Sequence, residues 1–419
     1  MRDCLTNNYK IASKNYLDKI NSEAALLIKE LNIKGKVKKL HEKRAFITVK
    51  DHKKSFPNLL ECRLINTMKS EIGIVSKRIL DKINNNIRSK TCLVQWKNSF
   101  EVIEWFNKIK NKKSLNFLKF DIEKFYPSIT SIELSNALTF AENYIKVCSL
   151  DKRIIFHSCM SVLSDTNGRG WTKKNDSNNF DVAMGSYMGA EICDLIGLYI
   201  LFDLNSVNNL SSFGLYRDDG LAVLKRSKCE NERATKRIRS IFKNHGFKIS
   251  VECNLTQTDF LDISMDLCNN THSPYRKENA NVKYINNGSN HPKLIRKSIS
   301  SMINKRLSRL SSNDKIFNSI KKDYDEALTT SGHDRLKGYN KPNSDYNSKK
   351  TRRPRKIIYF NPPFCNSVKT KIGKRFLDLV RLHFPKSNKL HKIFNKNTIK
   401  ISYSCLPNMR NIINAHNKK

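Results

Sequence analysis

The sequence predicts an α+β fold, in which helices alternate with short strands that pair as antiparallel hairpins. Several segments carry apolar residues at helical spacing, whereas shorter ones are rich in β-branched and aromatic residues and end at turn signals. The chain has 419 residues, of which 39% are hydrophobic. This length and composition suit two or three domains and a sizeable core.

The first part of the chain predicts two helices separated by a hairpin. One apolar face predicts a helix over Tyr16–Leu31. The short runs Phe46–Val49 and Glu61–Asn66 predict strands that pair with each other. Residues Lys69–Asn84 are then expected to be helical.

The middle of the chain predicts a strand that ends at an acidic residue. Phe117–Ile122 is apolar and contains Asp121, and Pro127 prevents any continuation of the strand. Thr130 and Glu133 then have the spacing of a capping box, which predicts a helix up to about Tyr144.

The following region predicts a further set of helices and strands. Ser212–Leu224 is apolar, then charged, then apolar, a pattern typical of a hairpin, here closed by Asp-Asp-Gly. We also expect helices at Gly185–Leu204, Cys229–His245 and Lys293–Leu310, and strands at Phe247–Val251 and Phe260–Leu267.

The charge of the chain indicates its kind of partner. Lys and Arg number 78 against 38 Asp and Glu, which gives a formal net charge of +40. A surface this basic repels itself unless a polyanion neutralises it, and nucleic acid is the favoured polyanion. A membrane surface is the alternative, but no amphipathic basic helix or lipidation signal stands out.

Other classes of protein are disfavoured by what the sequence lacks. The 11 cysteines are scattered without a C-x-x-C pair. A zinc framework is therefore not expected, and the cysteines are expected to be reduced thiols. No apolar run has membrane-spanning length, and the first residues contain no apolar signal region. These features favour a nuclear or cytoplasmic protein.

Three carboxylates carry the chemistry that the sequence suggests. Asp121 lies at the end of a strand, and Asp218 and Asp219 lie at a hairpin tip. Adjacent acids repel each other unless a cation lies between them, and Mg²⁺ prefers carboxylate and phosphate oxygens. Taken alone, however, Asp-Asp-Gly is also a common turn sequence.

Four segments in order resemble the palm motifs of reverse transcriptases. FDIEKFYPSI (120–129) resembles the first motif, and AMGSYMGAEICDLIGLYIL (183–201) resembles the second. GLYRDDGLAV (214–223) is similar to the Y-x-D-D hairpin of the third. GFKISVECNLTQTDFLDISMDL (246–267) is similar to the fourth motif and the primer-grip region.

The resemblance extends beyond the palm and is closest to Penelope-like retroelements, which are related to telomerase. KDHK and CRLINTMKSEIG resemble finger motifs, and SNHPKLIRKSISSMINKRLSRLSS resembles the thumb. It implies a right-hand polymerase with fingers, an antiparallel-sheet palm and a helical thumb. The implied domains are an N-terminal helical segment (1–45), fingers (46–116), palm (117–270), thumb (271–335), basic linker (336–356) and a small basic C-terminal region (357–419).

The family implies roles for the residues of the first and third motifs. Asp121 and Asp218 would hold two Mg²⁺ ions, for which Mn²⁺ can substitute, and Asp219 would assist. Tyr126, with Phe125 beside it, would stack under the incoming sugar and exclude a 2′-hydroxyl. The alternative for Tyr126 is a core aromatic.

The family also implies contacts with the nucleotide outside these motifs. Gly185 would let the chain approach the nucleotide or template closely, although a flexible helix start explains it equally. Arg63, Lys50 and Lys53 would clamp the triphosphate, and Lys248 would donate a proton to pyrophosphate. The alternative for these lysines is a solvated surface.

A basic run near the C-terminus predicts a nucleic-acid contact or a nuclear localisation signal. Its cationic residues are Lys349, Lys350, Arg352, Arg353, Arg355 and Lys356.

Two positions depart from the second motif, because Met184 replaces the usual Gln and Met188 replaces a small or acidic residue. Penelope-like elements commonly end in a GIY-YIG endonuclease, but no GIY or YIG triplet occurs in this sequence. Unaided integration is therefore not expected.

The resulting functional prediction is an RNA-directed DNA polymerase of a retroelement. Its partners would be an RNA template, a DNA primer and deoxynucleoside triphosphates, with no membrane. Two alternatives remain open at this stage: a catalytically silent nucleic-acid-binding remnant, and an RNA-dependent RNA polymerase.

Overall fold

The computed structural model describes residues 9–32, 45–49, 58, 61–66, 71–160, 162–165, 169–174, 180–277, 282–341, 356–368 and 370–406. The chain divides into two compact units, Met1–Ala280 and Asn281–Lys419. The boundary between them lies ten residues beyond the palm–thumb boundary expected from sequence, because residues 271–274 pair as a strand within the first unit.

The helices of the first unit lie mostly where helical spacing predicts them. They are α1 (Lys14–Glu30), α2 (Glu71–Lys90), α3 (Ser99–Lys108), the short α4 (Phe125–Ser128), α5 (Ser131–Glu142), α6 (Ser149–Ser158), α7 (Gly189–Leu204) and α8 (Lys228–Asn244).

The strands of the first unit are short and antiparallel. They are β1 (Tyr9–Ile11), β2 (Phe46–Val49), β3 (Cys62–Ile65), β4 (Leu115–Ile122), β5 (Leu163–Ser164), β6 (Gly170–Lys173), β7 (Leu210–Tyr216), β8 (Asp219–Lys225), β9 (Ile249–Leu255), β10 (Gln257–Phe260), β11 (Ile263–Asp266) and β12 (Thr271–Pro274). β2 and β3 form the expected hairpin. With these antiparallel sheets among helices, the α+β class is confirmed.

The second unit contains two long helices and a smaller part that follows them. Its elements are α9 (Lys293–Leu310), α10 (Asp314–Thr330), β13 (Ile358–Phe360), β14 (Pro363–Phe364), α11 (Ile372–His383), β15 (Ile399–Ile401) and β16 (Ser404–Cys405). Leu336 is 4% exposed and packs in the same core cluster as Phe317 of α10. The start of the expected linker is therefore part of the helical core, because its apolar side chains have helices to pack against.

A four-stranded antiparallel sheet, in the order β7-β8-β4-β9, organises the first unit. β4 lies between β8 and β9 and is buried at five of its eight positions. Helices α7 and α8 pack beside this sheet, and the Phe120 ring lies 5.2 Å from the ring of Phe242 on α8. Burying one such side chain stabilises the fold by about 2–3 kcal/mol.

Helix α7 is buried over most of its length. Eleven of its sixteen residues are buried, as expected for a helix that packs on several sides. It begins at Gly189 rather than at Gly185. Gly185 has φ of +89° and lies in the preceding turn, because the chain there must pass close to Asn66.

Two other details differ from the sequence expectations. Phe260–Leu267 is not one strand but the end of β10 and all of β11, separated by a turn at Leu261 with φ of +57°. Thr130 caps α5 by accepting a hydrogen bond from the Glu133 backbone nitrogen at 3.1 Å. Glu133 does not complete the capping box, because its carboxylate bonds His245 instead.

His245 is a buried charged residue at the end of α8. Its Nδ1 lies 2.7 Å from Glu133 Oε1, and its Nε2 lies 2.8 Å from Asp203 Oδ2. Burial alone lowers the pKa of His245, but the two carboxylates outweigh this and raise it above the ordinary value. The imidazolium therefore joins α5, α7 and α8.

No helix in the described part of the chain is long and apolar enough to cross a membrane.

The free energy of unfolding should fall as pH rises through the raised pKa of His245. The histidine contributes its full stabilisation below its ordinary pKa of about 6.5 and loses it as the folded form deprotonates. Urea unfolding at several pH values from about 6 to 9 measures this, with His245→Gln as the comparison. Parallel pH profiles for the two proteins would contradict the assignment.

Candidate active site

The β7–β8 hairpin presents two acids at one end of the sheet. Tyr216 pairs with Asp219, so the loop consists of Arg217 and Asp218. Arg217 has φ of +55°, the left-handed conformation that such a tight turn requires. The turn is therefore closed by Arg-Asp and not, as the sequence suggested, by Asp-Asp-Gly.

Gly220 has a different role from the expected turn residue. It lies inside β8, opposite Phe120 of β4. A Cβ atom at Gly220 would lie 2.0 Å from the Phe120 ring. Only glycine lets this ring lie flat on the strand, immediately beside the acids.

The sheet register brings the third acid to the hairpin tip. Asp121 on β4 is the direct partner of Asp219 on β8. The next backbone nitrogen, that of Ile122, donates to the carbonyl oxygen of Asp218 at 2.9 Å. Because directly paired residues in an antiparallel sheet have Cβ atoms about 4.5–5.5 Å apart, the carboxylates meet at one end of the sheet.

The pKa of Asp219 is raised by burial and by the neighbouring acids. Burial, followed by the charges of Asp218 and Asp121, raises the pKa of Asp219 to about 6. The cations of Lys119 and Lys277 oppose this rise without cancelling it. The three acids thus form a locus of unbalanced negative charge, which a divalent cation would relieve.

The donor set fits magnesium or manganese. It consists of carboxylate oxygens, the ligands that these hard cations prefer. Among the described residues, no three His, Cys, Asp or Glu side chains form a metal site by themselves. The three carboxylates are therefore close enough for their charges to interact, as the raised pKa of Asp219 indicates, but they do not form a complete ligand set in this structure.

An ion-pair network fixes the hairpin tip to the neighbouring helices. Arg217 Nη1 lies 2.8 Å from Asp194 Oδ1 of α7 and also donates to the carbonyl oxygen of Ala190. Arg88 of α2 binds the other Asp194 oxygen at 2.9 Å. Burial raises the pKa of Asp194 although both arginines lower it.

Tyr126 lies close enough to Asp218 for the two side chains to interact electrostatically. Its hydroxyl lies near the thiol of Cys193 on α7. Burial, then Cys193 and Asp218, raises the pKa of Tyr126, while the Arg217 charge lowers it. The side chain is half-buried, so part of its ring remains accessible beside the carboxylates.

Two other expected nucleotide contacts have structural explanations instead. Phe125 is 2% exposed, and its ring lies 5.3 Å from that of Phe247, so it is a core residue that a nucleotide cannot reach. A Cβ atom at Gly185 would lie 2.6 Å from the Asn66 carbonyl oxygen. The glycine is therefore required by the approach of β3.

The basic residues expected at the nucleotide lie at the surface where described. Lys248 is exposed, and its carbonyl oxygen accepts from the backbone nitrogen of Glu123 at 2.9 Å, just beyond the Asp121 end of β4. Arg63 is exposed on β3, opposite Thr48. Lys356 is exposed in the second unit. Lys50, Lys53, Lys349, Lys350, Arg352, Arg353 and Arg355 lie outside the described residues.

Sequence reasoning missed the residues that support the acids. Asp194 interrupts an apolar helix, and such a charge is a signal that a buried partner exists. Arg217 adjoins two acids at a turn, where a cation is expected to pair. Neither signal identifies the partner, because Asp194 and Arg217 are brought together only by the packing of α7 on the hairpin.

No protein-family model matches the chain, and no curated protein matches it. Among solved structures, it is similar to an apo telomerase from Candida tropicalis truncated from its C-terminal domain, with 12% identity, coverage of 61% of this chain and 59% of that one, and a TM-score of 0.41. A telomerase from Candida albicans in complex with the TWJ fragment of telomeric RNA gives 12% identity, coverage of 79% and 56%, and a TM-score of 0.49.

The RNA-dependent RNA polymerase of BmCPV at its elongation state gives 10% identity, coverage of 71% of this chain and 26% of that one, and a TM-score of 0.44. The chain thus spans less than two thirds of the length of each of these structures. At these identities and TM-scores, a functional conclusion depends on the site itself.

Arg217→Ala should lower the free energy of unfolding by about 1–3 kcal/mol, because it leaves the half-buried Asp194 with one cation instead of two. Urea unfolding measures the change, and Asp194→Asn with the double variant completes a cycle. A coupling of about 0.5–3 kcal/mol is expected. Strictly additive single effects would show that the ion pair does not hold the hairpin tip.

Proposed function

We propose that this chain is a template-directed nucleic-acid polymerase, and specifically an RNA-directed DNA polymerase. The observation that carries the proposal is the register of β4 and β8, which pairs Asp121 with Asp219 next to Asp218 at the tip. Three converging carboxylates beside a half-buried tyrosine suit the binding of a nucleoside triphosphate with its divalent cations.

In this proposal Asp121 and Asp218 hold two divalent cations, Mg²⁺ or Mn²⁺. When bound, such a pair of ions activates an attacking hydroxyl and stabilises a leaving oxygen. Asp219 faces Asp121 across the strands and adds negative charge beside the two ligands. Arg217 holds the tip on α7, so that the carboxylates stay in place as charge builds up around them.

The surrounding residues orient the nucleotide. Tyr126 lies beside Asp218, where its ring would contact the sugar of the incoming nucleotide and exclude a 2′-hydroxyl. Lys248, which directly precedes β9 and bonds the backbone of Glu123, would donate a proton to the departing pyrophosphate. Arg63 would bind triphosphate oxygens, for which the planar guanidinium is suited.

The polymer substrates follow from charge and from the sequence resemblance. The net charge of +40 supplies the attraction for an RNA template and a DNA primer, contacted mainly through their backbones. The motifs of residues 120–129 and 214–223 support a reverse transcriptase, and the resemblance of residues 289–312 to a Penelope-like thumb supports a retroelement of that kind. A nuclear site of action agrees with the basic run at 349–356.

Asp218→Asn should abolish primer extension on a poly(rA)·oligo(dT) template with Mg²⁺ or Mn²⁺. Removing one ligand charge at the reacting centre is expected to cost at least about 10²-fold in rate. The exposed acid Glu232 of α8 offers a matched control, since Glu232→Gln removes the same charge away from the site.

Extension by the unchanged chain and by Glu232→Gln, but not by Asp218→Asn, supports the proposal. If no protein extends the primer while salt-sensitive RNA binding persists, the chain is a silent nucleic-acid-binding protein.

Tyr126→Ala should reduce the preference for deoxynucleotides over ribonucleotides by about tenfold or more, since it opens the space beside the 2′ position. The ratio of kcat/KM for dTTP and UTP measures this preference. Tyr126→Phe serves as the control because it keeps the ring. An unchanged ratio in Tyr126→Ala would refute the role of the tyrosine, and a preference for UTP in the unchanged chain would indicate an RNA polymerase.

A further inference from the structure

The end of the central sheet opposite the carboxylates is also strongly charged, with the opposite sign. From Asp121 to Leu115, β4 extends about 20 Å at about 3.3 Å per residue. At the Leu115 end, β4 pairs with Lys225 and is preceded by the loop 109–114. The basic residues here are Lys108, Lys110, Lys112, Lys113, Lys225 and Arg226.

This cluster lines two neighbouring depressions that are open to solvent. One cavity of about 670 Å³ is bordered by Lys110, Lys225 and Arg226, together with Ser211 and Ser212. The second, of about 640 Å³, is bordered by Lys112 and Lys113. The two share Ile109, Asn111 and Ser114. Their volumes fall within the range of about 300–1,000 Å³ that is usual for ligand clefts.

The positive charge of these cavities is not neutralised by the protein. Neither lining contains an Asp or Glu residue. Within the described ranges, Lys110, Lys113 and Lys225 are exposed and form no ion pair. Solvated lysines are common on protein surfaces, but several around adjoining depressions without a carboxylate form an anion-binding surface.

The loop between the cavities is held in a defined conformation. Asn111 has φ of +51°, and Ser114 Oγ donates to its carbonyl oxygen at 2.8 Å. Lys112 Nζ donates to the Ile109 carbonyl oxygen at 2.8 Å and lies 4.8 Å from the centre of the Phe106 ring. Arg226 Nε donates to the Leu115 carbonyl oxygen at 3.3 Å. The cations are therefore presented from a fixed scaffold.

We infer that this surface binds the phosphodiester backbone of a nucleic-acid strand, at a second site about 20 Å from the carboxylates. The row of lysines suits successive phosphates, and the serine and asparagine side chains suit sugar and phosphate oxygens. This inference does not depend on the proposed polymerase activity, since binding is measured without catalysis.

The test uses the full chain and the variant Lys110→Gln/Lys225→Gln, which removes one cation from each side of the larger cavity. Fluorescence anisotropy with a labelled single-stranded RNA of about 30 nucleotides gives the affinity over a range of salt concentrations. Two lost phosphate contacts should make the slope of log K against log salt shallower by about 1.4, and should weaken binding about tenfold at ~0.15 M salt. Lys82→Gln/Lys146→Gln, at two exposed lysines elsewhere in the first unit, is the matched control.

Four further measurements make the outcome decisive. Equal urea unfolding of the two double variants excludes a folding defect. Binding to a duplex DNA of similar length shows whether the surface binds an RNA or a DNA backbone. Loss of binding to either RNA or DNA supports the inference. The inference would be overturned by an unchanged salt slope or by an equal loss of RNA binding in the control variant. It would also be overturned if the variant lost only its binding to an acidic polyglutamate peptide. Primer extension on a short template should stay unchanged, which separates this result from that of Asp218→Asn.

Discussion

The pairing of β4 with β8 is the constraint on which the rest of the first unit depends. It fixes Asp121 opposite Asp219, although the two carboxylates repel each other at this separation. Burial, followed by the charges of Asp218 and Asp121, raises the pKa of Asp219. The sheet tolerates the conflict because its backbone hydrogen bonds and the buried side chains of β4 hold the register independently of the acids.

The surroundings of the hairpin reinforce this arrangement from two sides. Gly220 lets the Phe120 ring pack flat against β8, which ties the core directly to the acidic end of the sheet. On the other side, Arg217 connects the tip to Asp194, and Arg88 connects Asp194 to α2. The acids are thus positioned by apolar packing on one side and by ion pairs on the other.

The distribution of charge along the sheet gives the first unit a polarity. The Asp121 end collects carboxylates and the Leu115 end collects lysines, although the chain as a whole is basic. The net positive charge of the chain attracts a polyanion. At the acidic end, however, a polyanion would bind only together with cations that neutralise the carboxylates. The lysine-lined cavities need no such cations, so the two ends would bind phosphates in chemically different ways.

The sequence by itself determined much of the architecture, because local patterns depend only on neighbouring residues. Apolar spacing located α1 and α2, and the apolar, charged and again apolar pattern of residues 212–224 located the hairpin. The three acids were also selected from sequence, since carboxylates at a strand end and at a hairpin tip are unusual without a cation. The resemblance of residues 120–129 and 214–223 to polymerase motifs strengthened that selection.

Only the tertiary structure decided which of these residues meet and which serve the fold. Strand register is a long-range property, so the pairing of Asp121 with Asp219 could not be read from either segment alone. The same holds for Glu133, whose carboxylate leaves its own helix for His245, and for the ion pair of Asp194 with Arg217. Phe125 illustrates the limit most simply: its motif placed it at the nucleotide, but burial against Phe247 made it part of the core.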